Sequence, residues 1–519
     1  MKSYIRNIAS HAAAVLAIAV TAVSCLEKYP SSSIPEADAM QSYNDAEQHV
    51  NGIYASLKSS YLYSGLLTLL PDIQSDMVYA VEGNTNTYGH FWRWDFRPVD
   101  TEIEGVYGSL YAVIGNCNFY LERIDELMSH QTDDDIIDEL EIYTGEVYAI
   151  RAMCYSELLK CYCKAYDPAT ADSTPGVVLR TRYSVPEPIV RASLKDSYAF
   201  VLEDLARAEE RLSDDDEYNL ASSAFITLAA AQALHARVAL YMQNWDEAVK
   251  YSTKVIDRTN CFELASVRSA APDGASWFDY MWAYDASYEI IWRIGYTATS
   301  YGGALGTVFL NFTSDYTYFY PDYVPAASVL NAFEAGDARD DAYFADSSQG
   351  IVIGYANSLD WPLLVKYYGN RELISQYIFH VNMPKPLRLA EQYLIRAEAY
   401  CRNEKFALAS ADLTTLRQAR FVTGGAITVN DGNWLGVIAD ERLKELYMEG
   451  FRLHDLKRWG EEYARLNDGY SISRTPQQLS QEVGSSLKVT PDDPRFVWPI
   501  PQHEIEAPGA QLEPNDSNK

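Results

Sequence analysis

Tryptophan and tyrosine rings set among amides and charged side chains suit the chemistry of saccharides. A sugar ring has an apolar C–H face, on which an indole or phenol plane stacks, and a rim of hydroxyls that Asn, Asp and Arg can meet. Two stretches of this chain offer that mixture. The first holds Asn84, Asn86, Tyr88, Trp92, Arg93 and Trp94. If residues 91–96 are extended, Trp92, Trp94 and Phe96 share one face, which could serve as a ligand platform or equally as core. The second stretch offers Trp277, Trp282, Tyr284, Tyr296, Tyr316, Tyr318 and Tyr320. With 40 Tyr and 10 Trp in the chain, most such rings are expected to pack helices rather than meet ligand.

No complete catalytic pattern accompanies them. P-loop, GxGxxG and GxSxG motifs are absent. His503-Glu504 starts like a zinc-protease motif, but residue 507 is Ala, and Pro501 and Pro508 oppose the helix that would put two His on one face. A carboxylate pair for glycoside hydrolysis could be chosen in many ways from an acidic chain, so no pair is informative. The runs Asp133-Asp134-Asp135 and Asp214-Asp215-Asp216 read as solvated faces. Cys154, Cys161 and Cys163 fall on one expected helix without a CxxC pair, which points to buried thiols and leaves one disulfide open. No metal, cofactor or catalytic residue is expected. The formal net charge of −30 excludes nucleic acid, whose phosphates demand Lys/Arg clusters.

The N-terminus adds a different chemistry. Lys2 and Arg6 precede an uncharged apolar run, Ala12 to Val23. That run is too short for a bilayer span, which needs ~20 residues, and it reads as a secretory leader covering residues 1–24. It ends Ala22-Val23-Ser24-Cys25, small residues before a cysteine, so Cys25 is the expected lipidation site. Ala22 stands where Leu is usual.

The elements that must position the aromatic residues are mostly helical. Ala46, Val50, Ile53, Tyr54 and Leu57 recur at helical spacing, as do Tyr107, Leu110, Tyr111, Ile114 and Tyr120. Three segments read as tetratricopeptide-type hairpins, in which small residues admit close helix approach and large ones fill the gap. Ala397, Tyr400, Phe406, Ala409, Leu413 and Leu416 form the clearest. Ala236, Ala239, Trp245, Ala248 and Val255 form another. Ala152 and Tyr155 open a third, whose second helix, residues 194–212, follows a proline-containing insert. These units are dispersed, not tandem. Residues 71–98 and 265–386 lack helical periodicity, and long irregular segments are usually functional. The expected fold class is mainly α: a helical scaffold with dispersed hairpins and long irregular loops carrying short strands.

Several motifs carry a family resemblance. Leu387 through Ala399, Glu441-Arg442-Leu443-Lys444-Glu445-Leu446, Glu449-Gly450-Phe451-Arg452, Asp455 through Gly460, and Trp498-Pro499-Ile500-Pro501 with Glu504-Ile505 resemble the SusD/RagB family of outer-membrane nutrient-binding lipoproteins. The terminal Gln511 and Asn515 are remnants of the family's closing motif. Read physically, Glu441 and Glu445 form a charged helical stripe, Glu449 and Arg452 can pair one turn apart, Gly450 sits where a helix ends or two backbones approach, and Trp459 packs as an anchor. The resemblance implies one SusD-like unit, residues 25–519, with an N-terminal part 25–320 and a C-terminal part 321–519. It also implies surface exposure on the outer membrane, an oligosaccharide ligand held by aromatic residues of the two irregular regions, and a SusC-like TonB-dependent transporter as partner. The alternatives are a peptide-binding member, a periplasmic helical-repeat scaffold, and a helical glycoside hydrolase.

Overall fold

The computed structural model describes residues 39–81, 87–184, 188–312, 319–346, 348, 361–465 and 487–519. The expected leader, Cys25, Asn84, Asn86, Tyr316 and Tyr318 lie outside them. The longer helices are α1 (Tyr43–Ser56), α2 (Leu66–Ile73), α3 (Thr101–Leu121), α4 (Asp134–Tyr162), α5 (Leu194–Arg211), α6 (Leu228–Tyr241), α7 (Trp245–Ile256), α8 (Trp277–Tyr284), α9 (Leu389–Arg402), α10 (Phe406–Arg420), α11 (Trp434–Glu445) and α12 (Arg452–Trp459). Strands are short: β1 (Val78–Ala80), β2 (Ile290–Trp292), β3 (Tyr323–Pro325), β4 (Phe344–Ala345), β5 (Leu363–Leu364), β6 (Leu387–Arg388), β7 (Tyr463–Arg465) and β8 (Leu487–Val489). They form the antiparallel pairs β1–β3, β2–β6, β4–β5 and β7–β8.

The helices start where side chains can satisfy orphan backbone N–H groups. Ser42 and Asp45 make a capping box at α1, and Ser193, Thr227 and Asn244 cap α5, α6 and α7. The three expected hairpins are α4/α5, α6/α7 and α9/α10. Although dispersed in the sequence, they stack in space: α5 packs on α6, and α7 packs on α9. The α7–α9 contact is built from Ala248 and Tyr251 against Ile395 and Ala399, with Ala236, Ala239 and Leu240 of α6 in the same cluster. The chain therefore leaves the stack after α7 and returns to it at α9.

What leaves the stack forms a second lobe. Leu69, Met77, Tyr79 and Trp92 share a core with Phe278, Phe309, Tyr323, Trp361 and Tyr447. The two irregular stretches thus fold together, tied by the register Val78↔Pro325 to Ala80↔Tyr323.

The charged stripe of the C-terminal motif faces inward. Glu445 is fully buried and accepts hydrogen bonds from Arg388 (2.9 Å), Arg420 (2.9 Å) and Arg339 (3.2 Å). Glu441 pairs with Arg339 at 2.7 Å and Arg417 at 2.9 Å. Glu289, next to β2, binds Arg388 and Arg420. Burial alone would raise the Glu441 carboxyl, but Arg339, Lys444 and Arg417 outweigh it and hold it at about 2. Glu449 does not pair with Arg452; it binds Lys366 and Arg388 at 2.7 Å, while Arg452 reaches Asp76 at 2.8 Å. Trp459 donates its indole N–H to Glu398 at 2.8 Å. Gly450 has φ +82°, and a Cβ there would strike the Leu67 carbonyl; it both ends a turn and admits α2.

Candidate functional site

The tryptophans proposed for stacking in the first stretch are core residues. Residues 89–92 form a short helix, not a strand, so Trp92, Trp94 and Phe96 share no face. Trp92 is 1% exposed, donates its indole N–H to the Val78 carbonyl (3.2 Å) and lies under the Arg465 guanidinium. Trp94, equally buried, donates to the Gln74 carbonyl at 2.6 Å and packs on Tyr463 and Phe496. In the second stretch, Trp282 is buried beneath Lys366 and Lys385, whose ammonium groups sit 4.1 and 4.7 Å from the ring. Tyr296 is buried, with its hydroxyl on the Ser64 hydroxyl. In this structure none of these four rings offers a face to a ligand.

The aromatic surface is built by their neighbours. Lys58 reaches the Ser300 hydroxyl at 3.0 Å. Gly302 and Gly303 let the same loop press onto Ser60 and Ser64, where any Cβ would collide. This close approach sets Tyr61, 41% exposed, and Tyr301, 45% exposed, on the surface of two packed segments. Tyr61 lies against Gly105 of α3. The charges of Glu102 and Asp322, with Tyr61, act on the neighbouring half-buried Tyr88; burial and these groups raise its hydroxyl, which stays a hydrogen-bond donor.

Asp322 organises the junction. Its carbonyl accepts from Val81 N–H at 2.9 Å, and its carboxylate accepts from Thr87 N–H at 3.0 Å, so it grips both ends of residues 82–86. A bridge between Phe312 and Phe319 closes the base of residues 313–318, and Asp322 N–H donates to Val308. The flanks of the two segments that carry Asn84, Asn86 and Tyr316 therefore meet at one place. Around it stand Tyr61, Tyr88, Phe312, Tyr320 and Asp322, of which Tyr88 and Tyr320 were among the residues singled out in the sequence. Tyr61 and Tyr301 were missed because nothing local marks them; the Gly302-Gly303 pair beside Tyr301 was the one available signal of a close packing.

Trp277 sits elsewhere. On α8 it forms a half-exposed ladder with Tyr280 and Tyr284, at helical spacings of three and four. Trp277 meets Tyr280 and exposed Tyr288 edge-on, Tyr280 stacks on Tyr284 at 4.4 Å, and Arg371 covers Tyr284.

Among the described residues, no group of His, Cys, Asp and Glu could hold a metal ion, and no helix is long and apolar enough to cross a membrane. Cys117, Cys154, Cys161, Cys163, Cys261 and Cys401 are free and buried. His503 lies on a four-residue helix and pairs with Glu104 and Glu504.

With this arrangement in place, comparison with known proteins defines the class. A family model described as starch-binding associating with outer membrane matches residues 26–240, and the SusD family model matches residues 311–515. A SusD-like protein of Formosa agariphila is 24% identical over 84% of this chain and 86% of its own length. The fold matches a SusD superfamily protein of Bacteroides thetaiotaomicron with TM-score 0.76 at 22% identity, covering 91% of this chain and 99% of that one. It also matches a putative sugar binding protein of Bacteroides vulgatus with TM-score 0.74 at 23% identity, covering 93% and 100%. The chain belongs to the SusD family of helical, outer-membrane-associated binding proteins.

Proposed function

We propose that this protein is a lipid-anchored lipoprotein of the outer-membrane surface that binds an oligosaccharide and passes it to a SusC-like TonB-dependent transporter. The observation carrying this reading is the junction at Asp322, where the two irregular segments fold on one core beside Tyr61, Tyr88, Phe312 and Tyr320, with Tyr301 exposed on the loop that packs against Ser60 and Ser64. Phenol faces would take the apolar side of a pyranose, and the half-buried Tyr88 hydroxyl would meet its hydroxyls. The family description as starch-binding, and the sugar-binding label of the Bacteroides vulgatus neighbour, support a saccharide ligand. Capture without turnover needs no acid–base pair. Uptake would draw its energy from the transporter.

A calorimetric screen of a glycan panel tests the site. The Tyr61→Ala/Tyr301→Ala protein should lose about tenfold or more in affinity for the glycan that the wild type binds, with its thermal unfolding midpoint nearly unchanged, since both rings are half exposed. Unchanged affinity would remove the ligand from this junction, and a parallel loss in Trp277→Ala would move it to the α8 ladder. Product formation from any glycan would instead favour an enzyme.

A further inference from the structure

Away from the Asp322 junction, α1, α4 and the loop between α5 and α6 enclose a cavity of about 550 Å³. Its walls are apolar: Val50, Ile142, Leu212, Ile226 and Leu228 line it. Its mouth carries three of the most exposed large apolar side chains of the described residues, Tyr218 at 52%, Leu220 at 61% and Phe225 at 50%. Three carboxylates line it, Glu47, Glu146 and Glu217, and no Lys or Arg does. Glu146 is the deep one, 4% exposed, and among the described residues its one hydrogen bond comes from the Tyr54 hydroxyl at 2.7 Å. That hydroxyl in turn accepts from the Ile226 N–H at 2.7 Å. Glu157, the other buried glutamate of α4, is paired with Lys160 at 2.8 Å, whereas among the described residues Glu146 meets no Lys or Arg.

We propose that this cavity is a second binding site, one for an organic ammonium ion, a primary amine on a compact apolar body. The size falls within the usual range for small-ligand pockets, about 300–1,000 Å³. The apolar walls and the aromatic mouth would take the body, and Tyr143, Tyr218 and Phe225 would present ring faces to the cation. Glu146 would supply the buried counter-charge, with Glu47 and Glu217 drawing the amine inward.

The titration state supplies a signature. Burial pushes the Glu146 carboxyl up to about 8, against the lowering effect of the Tyr54 hydrogen bond. The groups facing it are Tyr54 and Glu47 on α1, Tyr120 on α3, Tyr143 on α4, and Glu217 and Tyr218 on the α5–α6 loop. Burial raises the hydroxyls of Tyr54, Tyr120 and Tyr143, so near neutral pH Glu146 is the group able to yield a proton to an arriving cation. Binding an ammonium ion then releases that proton to buffer.

The experiment uses the full mature chain, with benzylammonium as probe and benzyl alcohol as its neutral isostere. Titration near neutral pH, in two buffers of different ionisation enthalpy, reads affinity and proton release together. Expected are binding of the amine at least about tenfold tighter than the alcohol, and about one proton released per amine bound. Glu146→Gln should abolish the proton release. Leu220→Lys, at an exposed position where folding is indifferent, should weaken the amine by setting a competing cation at the mouth. Equal affinity for amine and alcohol, binding without proton release, or no binding of the amine overturns the proposal. Glycan affinity at the Asp322 junction serves as an independent control, since loss of either activity leaves the other in place.

Discussion

Glu445 shows how charge is used in this chain. Its two oxygens serve Arg339, Arg388 and Arg420, and these attractions outweigh burial to hold its carboxyl well below the ordinary range. Removing it leaves three buried guanidiniums short of a partner. Glu445→Ala is therefore expected to cost about 3–5 kcal/mol, read by chemical denaturation. Glu441 and Glu398, each held at about 2 against an ordinary value of 4.5 by arginine neighbours that overcome burial, set an acid limit. Because their folded values lie below the unfolded ones, their stabilisation is complete above about pH 4.5 and is lost as pH falls from there through about 2. Stability measured against pH should fall across that window, and more shallowly in Glu441→Gln. The sequence made these helices legible but not the direction of their charges. Glutamates four residues apart on a helix look like a solvent stripe unless Arg339 and Arg388, brought from distant segments, are known to face them.

At the scale of elements, the hairpins were readable because their code is local: small residues such as Ala397 and Ala409 at fixed spacing state which faces meet. The irregular stretches carry no such code. For Trp92 and Trp94, set among Asn, Arg and Tyr, the sequence left platform and core equally open; each indole N–H finds a backbone carbonyl and each ring fills a different core. Their position depends on β3 and on β7, which lie hundreds of residues away. Trp92→Ala is accordingly expected to destabilise by about 3–5 kcal/mol, seen as a lowered thermal midpoint. Below that midpoint, glycan affinity of the folded protein should change little. The proposed stacking positions were legible only as regions, since a surface ring such as Tyr61 is selected by what packs beneath it.

For the molecule as a whole, the proposed attachment to the membrane rests on Cys25. If Cys25 bears the lipid, each buried methylene contributes ~0.8 kcal/mol and several acyl chains give stable anchoring. Cys25→Ser should move the protein from the membrane fraction to the soluble fraction, with its unfolding transition unchanged; retention in the membrane fraction would argue for another mode of attachment. Under the proposed function, confinement beside a transporter would raise the pair's effective concentration without a strong contact.

The closing segment has a further consequence. Trp498 donates its indole N–H to Gln74 at 2.9 Å across 424 residues, and its ring packs on Phe91 and Tyr162; Gln74 in turn donates to the Arg495 carbonyl. The core around α2 and α4 is thus closed by side chains from a remote part of the chain. Such long-range closures carry a large loop entropy and slow the search for the native state. The α2 region therefore reaches its native packing only when a segment 424 residues distant has docked on it.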